Sequence, residues 1–202
     1  GKNPYLSANE LERQLLRARE VLLKEHDGLF LSLLDDFIIK LRIFGFYFAS
    51  LDVRQENKKH HQLWQSIIRI LHGRGVGIDE QAFNQLPEEK QLAYLLKLSF
   101  NPVFLDVDDP QTEEMIRTFR SINTIQDLNG EEGCHRYVIS NCGSALSVIE
   151  VFKLAQLLIG KDGNLPLDIV PLFESIDDLA AANEVMHQLY SIPEYREHLK
   201  SR

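Results

Sequence analysis

From residue 136 onward, short apolar runs alternate with amphipathic stretches, and this order constrains the fold more than any other feature of the chain. "RYVIS" (136–140) reads as a buried strand and "ALSVIEVFKLAQLLIG" (145–160) as a helix. The run Ile169, Val170, Leu172, Phe173 reads as another strand, and the alanine-rich stretch after Ser175 as another helix. Strands joined through helices by connections this short pair in parallel. In such folds functional groups collect at the C-terminal ends of the strands. The last apolar run stops abruptly at Glu174, so a carboxylate is delivered to the mouth of a strand–helix turn.

The preceding chain is mostly helical in pattern. Ser7 and Glu10 form a capping-box pair, and Leu11, Leu15, Ala18 and Leu22 then recur at helical spacing. A second helix is expected over roughly 30–44, carried by Leu33, Leu34, Phe37, Ile38 and Leu41 and ended by Gly45. "FYFASLDVRQ" (46–55) is aromatic and β-branched and predicts a strand, on which Asp52 and Arg54 project to the same side. The helical pattern returns from His60 to about Leu71, and "HGRGVGIDE" is a loop. Residues 80–127 read as further helices, broken at Pro87 and around "SFNPVFLDVDDP".

Composition removes several function classes. A net charge of −8 argues against a general nucleic-acid binder. No apolar run approaches the roughly 20 residues of a membrane span, and the N-terminus has no signal-peptide pattern. Cys134 and Cys142 are too few for a disulfide scaffold and fit no zinc motif. A reducing, cytoplasmic setting is expected. The chain opens on "GKNPY" and stops on "KSR" directly after a helical pattern, so a piece of a longer polypeptide is expected.

Three expected strands end on polar residues: Asp52 to Gln55, Ser140-Asn141, and Glu174-Ser175. A carboxylate and a guanidinium at such ends suit a site for a divalent cation and an oxyanion. Mg²⁺ takes one or two carboxylates plus substrate oxygens, and Arg grips carboxylate or phosphate through two N–H groups. The alternative is structural, with Glu174 and Arg54 pairing to neighbouring strands or capping a helix. Asp177 and Asp178 read as first-turn acids favoured by the helix dipole. His60 and His61 are adjacent and share no helix face, so with His72 they make no metal site. "HGRGVG" matches neither phosphate-binding glycine motif. Cys142 and Ser144 lack a helper histidine, and Trp64 and Met186 read as core.

The same residues carry a family resemblance. "FGFYFASLDVRQENKKH" resembles the phosphoenolpyruvate carboxylase segment F-G-x-x-L-x-x-L-D-I-R-Q-E-S, with its later His at His60. "YVISNCGSALSVIEVFKL" is similar to that family's Y-V-I-S-M…S-D-V-L-E-V, and "LPLDIVPLFESIDDLAAANEVMHQLYSIPEYREHL" to L-x-V-V-P-L-F-E-T-I-D-D-L…S-I-P-W-Y-R. The resemblance implies a helix-rich α/β fold, a partial TIM-type (β/α) barrel with extra helices cut from a larger fold. The expected organisation is helices leading into a barrel strand (1–60), a helical insertion (61–130) and two strand–helix units (131–202).

By the same resemblance the parent enzyme is a carboxy-lyase that adds bicarbonate to phosphoenolpyruvate, with Mg²⁺ or Mn²⁺, giving oxaloacetate and phosphate. It works as a cytoplasmic homotetramer, without nucleic acid or membrane. Glu174 matches the family's metal-ligand glutamate, and Arg54 its catalytic, substrate-binding arginine. Asp52, Gln55 and His60 are supporting residues. Asn57, Asn141, Ser147 and Glu194 depart from the usual Ser, Met, Asp and Trp. The family's T-A-H-P-T-E histidine, G-Y-S-D-S-x-K-D carboxylate and lysine, and G-R-G-G-S loop do not occur in these residues, so the segment alone is expected to be inactive. The alternative is a non-enzymatic interaction or regulatory protein that keeps part of the barrel.

Overall fold

A computed structural model describes residues 7–101, 109–161 and 163–202. Among these, nine α-helices and a short 3-10 helix (Glu131–Gly133) accompany three short strands in a helix-rich α/β arrangement. The order is α1 (Ala8–Glu25), α2 (Leu31–Phe44), β1 (Asp52–Glu56), α3 (Asn57–Gly73), α4 (Glu80–Asn84), α5 (Glu88–Lys97), α6 (Pro110–Asn129), β2 (Arg136–Ser140), α7 (Ala145–Ile159), β3 (Asp168–Pro171), α8 (Ile176–Ser191) and α9 (Pro193–Lys200). The expected break at "SFNPVFLDVDDP" lies largely outside the described residues.

The strands form one parallel sheet in the order β1-β2-β3. Arg54 is level with Val138, and Val138 with Val170. Period-two alternation sorts the side chains. Tyr137, Ile139 and Ile169 turn into the core, and Phe119 of α6 stacks flat on Tyr137 with ring centroids 5.1 Å apart. The opposite face carries Asp52, Arg54 and Glu56 of β1, with Arg136, Val138 and Ser140 of β2; the three β1 residues and Arg136 are exposed. Parallel sheets are ordinarily covered on both faces, whereas the described helices cover this one on a single face.

Helix α7 is apolar around most of its circumference, as a central helix must be. Val148, Ile149, Val151, Phe152, Leu154 and Ala155 are all buried. Trp64 of α3 is fully buried against it, and its indole N–H donates to the Glu150 carbonyl at 2.9 Å. By contrast α1 buries no residue. Its stripe of Leu11, Leu15 and Leu22 is half-buried, Ala18 is exposed, and the α1–α2 hairpin is tied by Arg19–Asp35 and Arg42–Glu12 ion pairs, each 2.6 Å.

One local expectation fails. Residues 46–49 are turns and bends, 50 and 51 are irregular, and pairing starts only at Asp52. Phe48 is left-handed (φ 60°) and 83% exposed, and it stacks on Phe44 of the preceding helix at 5.9 Å. Aromatic residues favour strands only where a pleated surface gives them something to pack against. Upstream of Leu51, whose N–H donates to the Gly133 carbonyl at 2.9 Å, no such neighbour is present among the described residues.

The core also holds titratable groups that set a pH window. His60 is buried with Nε2 2.8 Å from the Tyr137 hydroxyl, and burial lowers its pKa to about 4. His198 is lowered in the same direction, by burial and then by the Arg202 charge. A depressed histidine stabilises the fold fully above its unfolded value of about 6.5, and that contribution is lost as pH falls through the folded value. On the other flank, the His61 Nδ1–H donates to the buried Glu150 carboxylate at 2.8 Å, which raises the histidine's pKa. Its contribution is complete below about 6.5 and is lost as pH rises. Urea denaturation between pH 4.5 and 8.5 is therefore expected to give a maximum near neutrality. His60→Gln should flatten the acid limb by roughly 3 kcal/mol at most; an acid limb unchanged by that substitution would refute the assignment.

Candidate active site at the C-terminal end of the sheet

Arg54 and Glu174 are 120 residues apart in sequence, and Arg54 Nη2 donates to Glu174 Oε2 at 2.8 Å. Arg54 stands on the open face of β1. Glu174 lies just beyond β3, after Leu172, whose N–H still bonds the Ile139 carbonyl at 2.9 Å. The guanidinium thus reaches across β2, two inter-strand spacings of nearly 5 Å each. The second carboxylate oxygen, Oε1, accepts the backbone N–H of Asn141 at 3.0 Å. Each carboxylate oxygen offers two acceptor positions, so one on each remains for a ligand.

The local sequence explains why Glu174 is held there. Ser175 caps α8: its side chain accepts the Asp178 N–H at 3.0 Å, and the Asp178 carboxylate accepts the Ser175 N–H at 3.1 Å. These bonds hold the Asp178 carboxyl below the usual carboxylate range. Asp178 is therefore occupied as a cap, as the first-turn reading expects, and the turn fixes the backbone of its neighbour Glu174. The Arg54–Glu174 pair is partly solvated, with side chains 57% and 35% exposed. A pair in that setting contributes at most about 1 kcal/mol, so an incoming anion and cation can separate it at little cost.

The other sequence candidates are placed elsewhere around the sheet. Asp52 lies at the opposite, N-terminal end of β1 and pairs with Arg136 at 2.8 Å. Gln55 alternates toward the helix-covered face, and its carbonyl accepts the Ser140 hydroxyl at 3.3 Å. His60 sits in the core beneath β2, against Tyr137, and reaches neither Arg54 nor Glu174 directly. Cys142 is fully buried, and burial pushes its thiol up to about 12, so it is no nucleophile at neutral pH. The loop at "HGRGVG" joins α3 to α4, where the Tyr94 hydroxyl accepts the Ile78 N–H.

One contributor escaped the sequence reading. Tyr137 links His60 to the sheet, and its alternation within "RYVIS" is the signal that would have found it. Asn141, already singled out as a polar strand end, contributes through its backbone N–H rather than its side chain. Glu174 keeps a free acceptor position on each oxygen, Glu56 ends β1 exposed on the same open face, and no group of three or more His, Cys, Asp or Glu able to hold a metal occurs among the described residues. One carboxylate suits Mg²⁺ or Mn²⁺, which take few protein ligands and complete their shells with water and substrate oxygens.

The family model for phosphoenolpyruvate carboxylase matches residues 1–202. The chain belongs to the phosphoenolpyruvate carboxylase family. It is 34% identical over 170 residues to the phosphoenolpyruvate carboxylase of Synechococcus sp. (strain WH7803), covering 81% of this chain and 16% of that protein. To the enzyme of Gloeobacter violaceus it is 33% identical over 199 residues, covering 95% and 20%. To that of Thermosynechococcus vestitus it is 34% identical over 204 residues, covering 98% and 20%. The chain thus spans about a fifth, or less, of these curated relatives. No helix among the described residues is long and apolar enough to cross a membrane.

Proposed function

We propose that this chain supplies one wall of a phosphoenolpyruvate carboxylase active site, with Glu174 as a ligand of Mg²⁺ or Mn²⁺ and Arg54 as the group that holds the phosphate. The observation that carries this reading is the 2.8 Å meeting of Arg54 and Glu174 at the C-terminal end of a parallel sheet, in a member of this family. The reaction joins bicarbonate to phosphoenolpyruvate. A bicarbonate oxygen attacks phosphorus, the bond from phosphorus to the enol oxygen breaks, and carboxyphosphate and pyruvate enolate result. Carboxyphosphate then releases CO₂ and phosphate, and the enolate methylene carbon attacks CO₂ to give oxaloacetate.

When bound, the metal supplies Lewis-acid charge to the phosphate and enolate oxygens. Glu174 would present an oxygen to it while the Asn141 N–H keeps the carboxylate from rotating. Arg54, released from Glu174, would turn its fixed fork of donors to the phosphate, where charge shifts during transfer. Asp52, Gln55 and His60 act as positioning residues. Asp52 sets the β1–β2 register through Arg136, Gln55 joins β1 to Ser140, and His60 supports β2 through Tyr137.

The open face of the sheet supports a further part of this reading. Parallel strands in chain order, each followed by helix, with charged residues on an uncovered face, belong in a closed TIM-type (β/α) barrel whose other strands come from further polypeptide. Residues 61–130 are then a helical insertion between barrel strands, and residues 131–202 two strand–helix units. The whole protein would act in the cytoplasm as a homotetramer.

The test is oxaloacetate formation by the intact protein, followed by coupled reduction with NADH, with bicarbonate and Mg²⁺ each varied. Arg54→Ala is expected to lower kcat/KM for phosphoenolpyruvate roughly a hundredfold, as loss of a donor to a developing oxyanion does. Unchanged steady-state constants would remove Arg54 from the site.

A further inference from the structure

We propose that Asn141 is a positioning residue for Glu174, acting through a one-residue bulge that takes its N–H out of the sheet and gives it to the carboxylate. The proposal rests on the reading of Glu174 as a metal ligand only for its functional consequence. The contact itself stands on backbone geometry.

The hydrogen-bond ladder shows the bulge. In a parallel pair, alternate residues of one strand bond the two partners that flank their opposite number. Between β2 and β3, the Asp168 N–H donates to the His135 carbonyl at 2.7 Å and the Leu172 N–H to the Ile139 carbonyl at 2.9 Å. Ile139 lies opposite Pro171, so the next rung should run from the Asn141 N–H to the Leu172 carbonyl. Instead the Cys142 N–H occupies that carbonyl, at 3.4 Å. One residue has been inserted, and it is Asn141, with φ 54°. Its N–H donates to Glu174 Oε1 at 3.0 Å.

The residue type fits the task. A left-handed residue is one device by which a strand takes up an extra residue. Among residues with a side chain, Asn accepts that conformation most readily, whereas a β-branched residue resists it. The Asn141 side chain is exposed, so the position depends on backbone conformation, and Gly should substitute while Val should not. With one oxygen on the Asn141 N–H and the other on Arg54, the Glu174 carboxylate is fixed in two directions. When a substrate phosphate draws Arg54 away, the Asn141 bond is the one that remains.

The experiment uses the intact protein, with amide hydrogen exchange at residue 141 read by mass spectrometry on metal-free samples, and Mn²⁺ affinity read by the electron paramagnetic resonance of free Mn²⁺. Glu174→Ala should speed exchange at the residue 141 amide; exchange as slow as in the unmodified protein would overturn the proposal. Asn141→Val should weaken Mn²⁺ binding on the order of tenfold, the usual cost of disturbing a group that orients a ligand, and Asn141→Gly should restore it to within about twofold. Mn²⁺ binding unaffected by Asn141→Val, but weakened by Glu174→Gln, would overturn the positioning role and leave the ligand reading standing. Mn²⁺ binding unaffected by Glu174→Gln would overturn the ligand reading alone, and the residue 141 amide would then decide the contact by itself.

Discussion

Glu174→Ala in the intact protein is expected to lower metal-dependent turnover by at least about a hundredfold and to raise the Mg²⁺ concentration needed for half activity. Disturbing a group that merely orients a metal ligand costs 10–100-fold, and removing the ligand should cost no less. The substitution also strands Arg54, whose guanidinium loses its 2.8 Å partner. Binding of phosphoenolpyruvate in the absence of metal should therefore survive, because the freed cation still meets the phosphate. That split separates a metal ligand from a structural ion pair. Were Glu174 only the partner of Arg54, its loss would change stability by at most about 1 kcal/mol and leave the Mg²⁺ dependence where it was. Wild-type activity with an unchanged metal requirement would defeat the assignment. Glu174→Gln refines it, since the amide keeps an acceptor for the Asn141 N–H but removes the charge a cation needs.

The second large effect is structural. Trp64→Ala should destabilise the fold by about 3–5 kcal/mol, the cost of emptying an aromatic site in a packed core. Trp64 has no exposed surface, and its N–H is bonded to the Glu150 carbonyl of α7 at 2.9 Å. The deletion thus opens a cavity between α3 and α7 and removes one bond across them. Trp64→Phe keeps most of the packing and should cost roughly 1–2 kcal/mol through the lost hydrogen bond and residual space. Because Trp64 is the single tryptophan of the chain, denaturation is best followed by far-ultraviolet circular dichroism. A loss below about 1 kcal/mol for the alanine variant would mean that the site collapses around the missing ring and that α3–α7 packing is not the centre of the core.

The local readings that held are those set by signals a few residues long. "RYVIS" is β2 from end to end, and Ser175 with Asp178 forms the cap that opens α8. Glu174 follows directly from the two, because a strand ending and a helix beginning leave it at the turn. The reading of residues 46–51 as strand failed because strand preference is a statement about neighbours. Phe46, Tyr47 and Phe48 have the composition but no adjoining strand, and Phe48 packs back on Phe44 instead. His60 could be placed on a helix from its surroundings, but nothing local showed that it faces Tyr137 rather than the site.

By itself, then, the sequence determined the order of strands and helices, the cap that positions Glu174, and the family. The first two are encoded by period and by residues within one turn of each other, and the third by three motifs in order. The tertiary structure alone decided that β1 lies beside β2, that Arg54 reaches across β2 to Glu174, and that an extra residue at Asn141 turns a ladder N–H into a clamp on the carboxylate. Those outcomes depend on which strand occupies which slot against α7, α6 and α3. That choice is made by buried contacts such as His60 with Tyr137, 77 residues apart, and Trp64 with Glu150, 86 residues apart, where no local periodicity reaches.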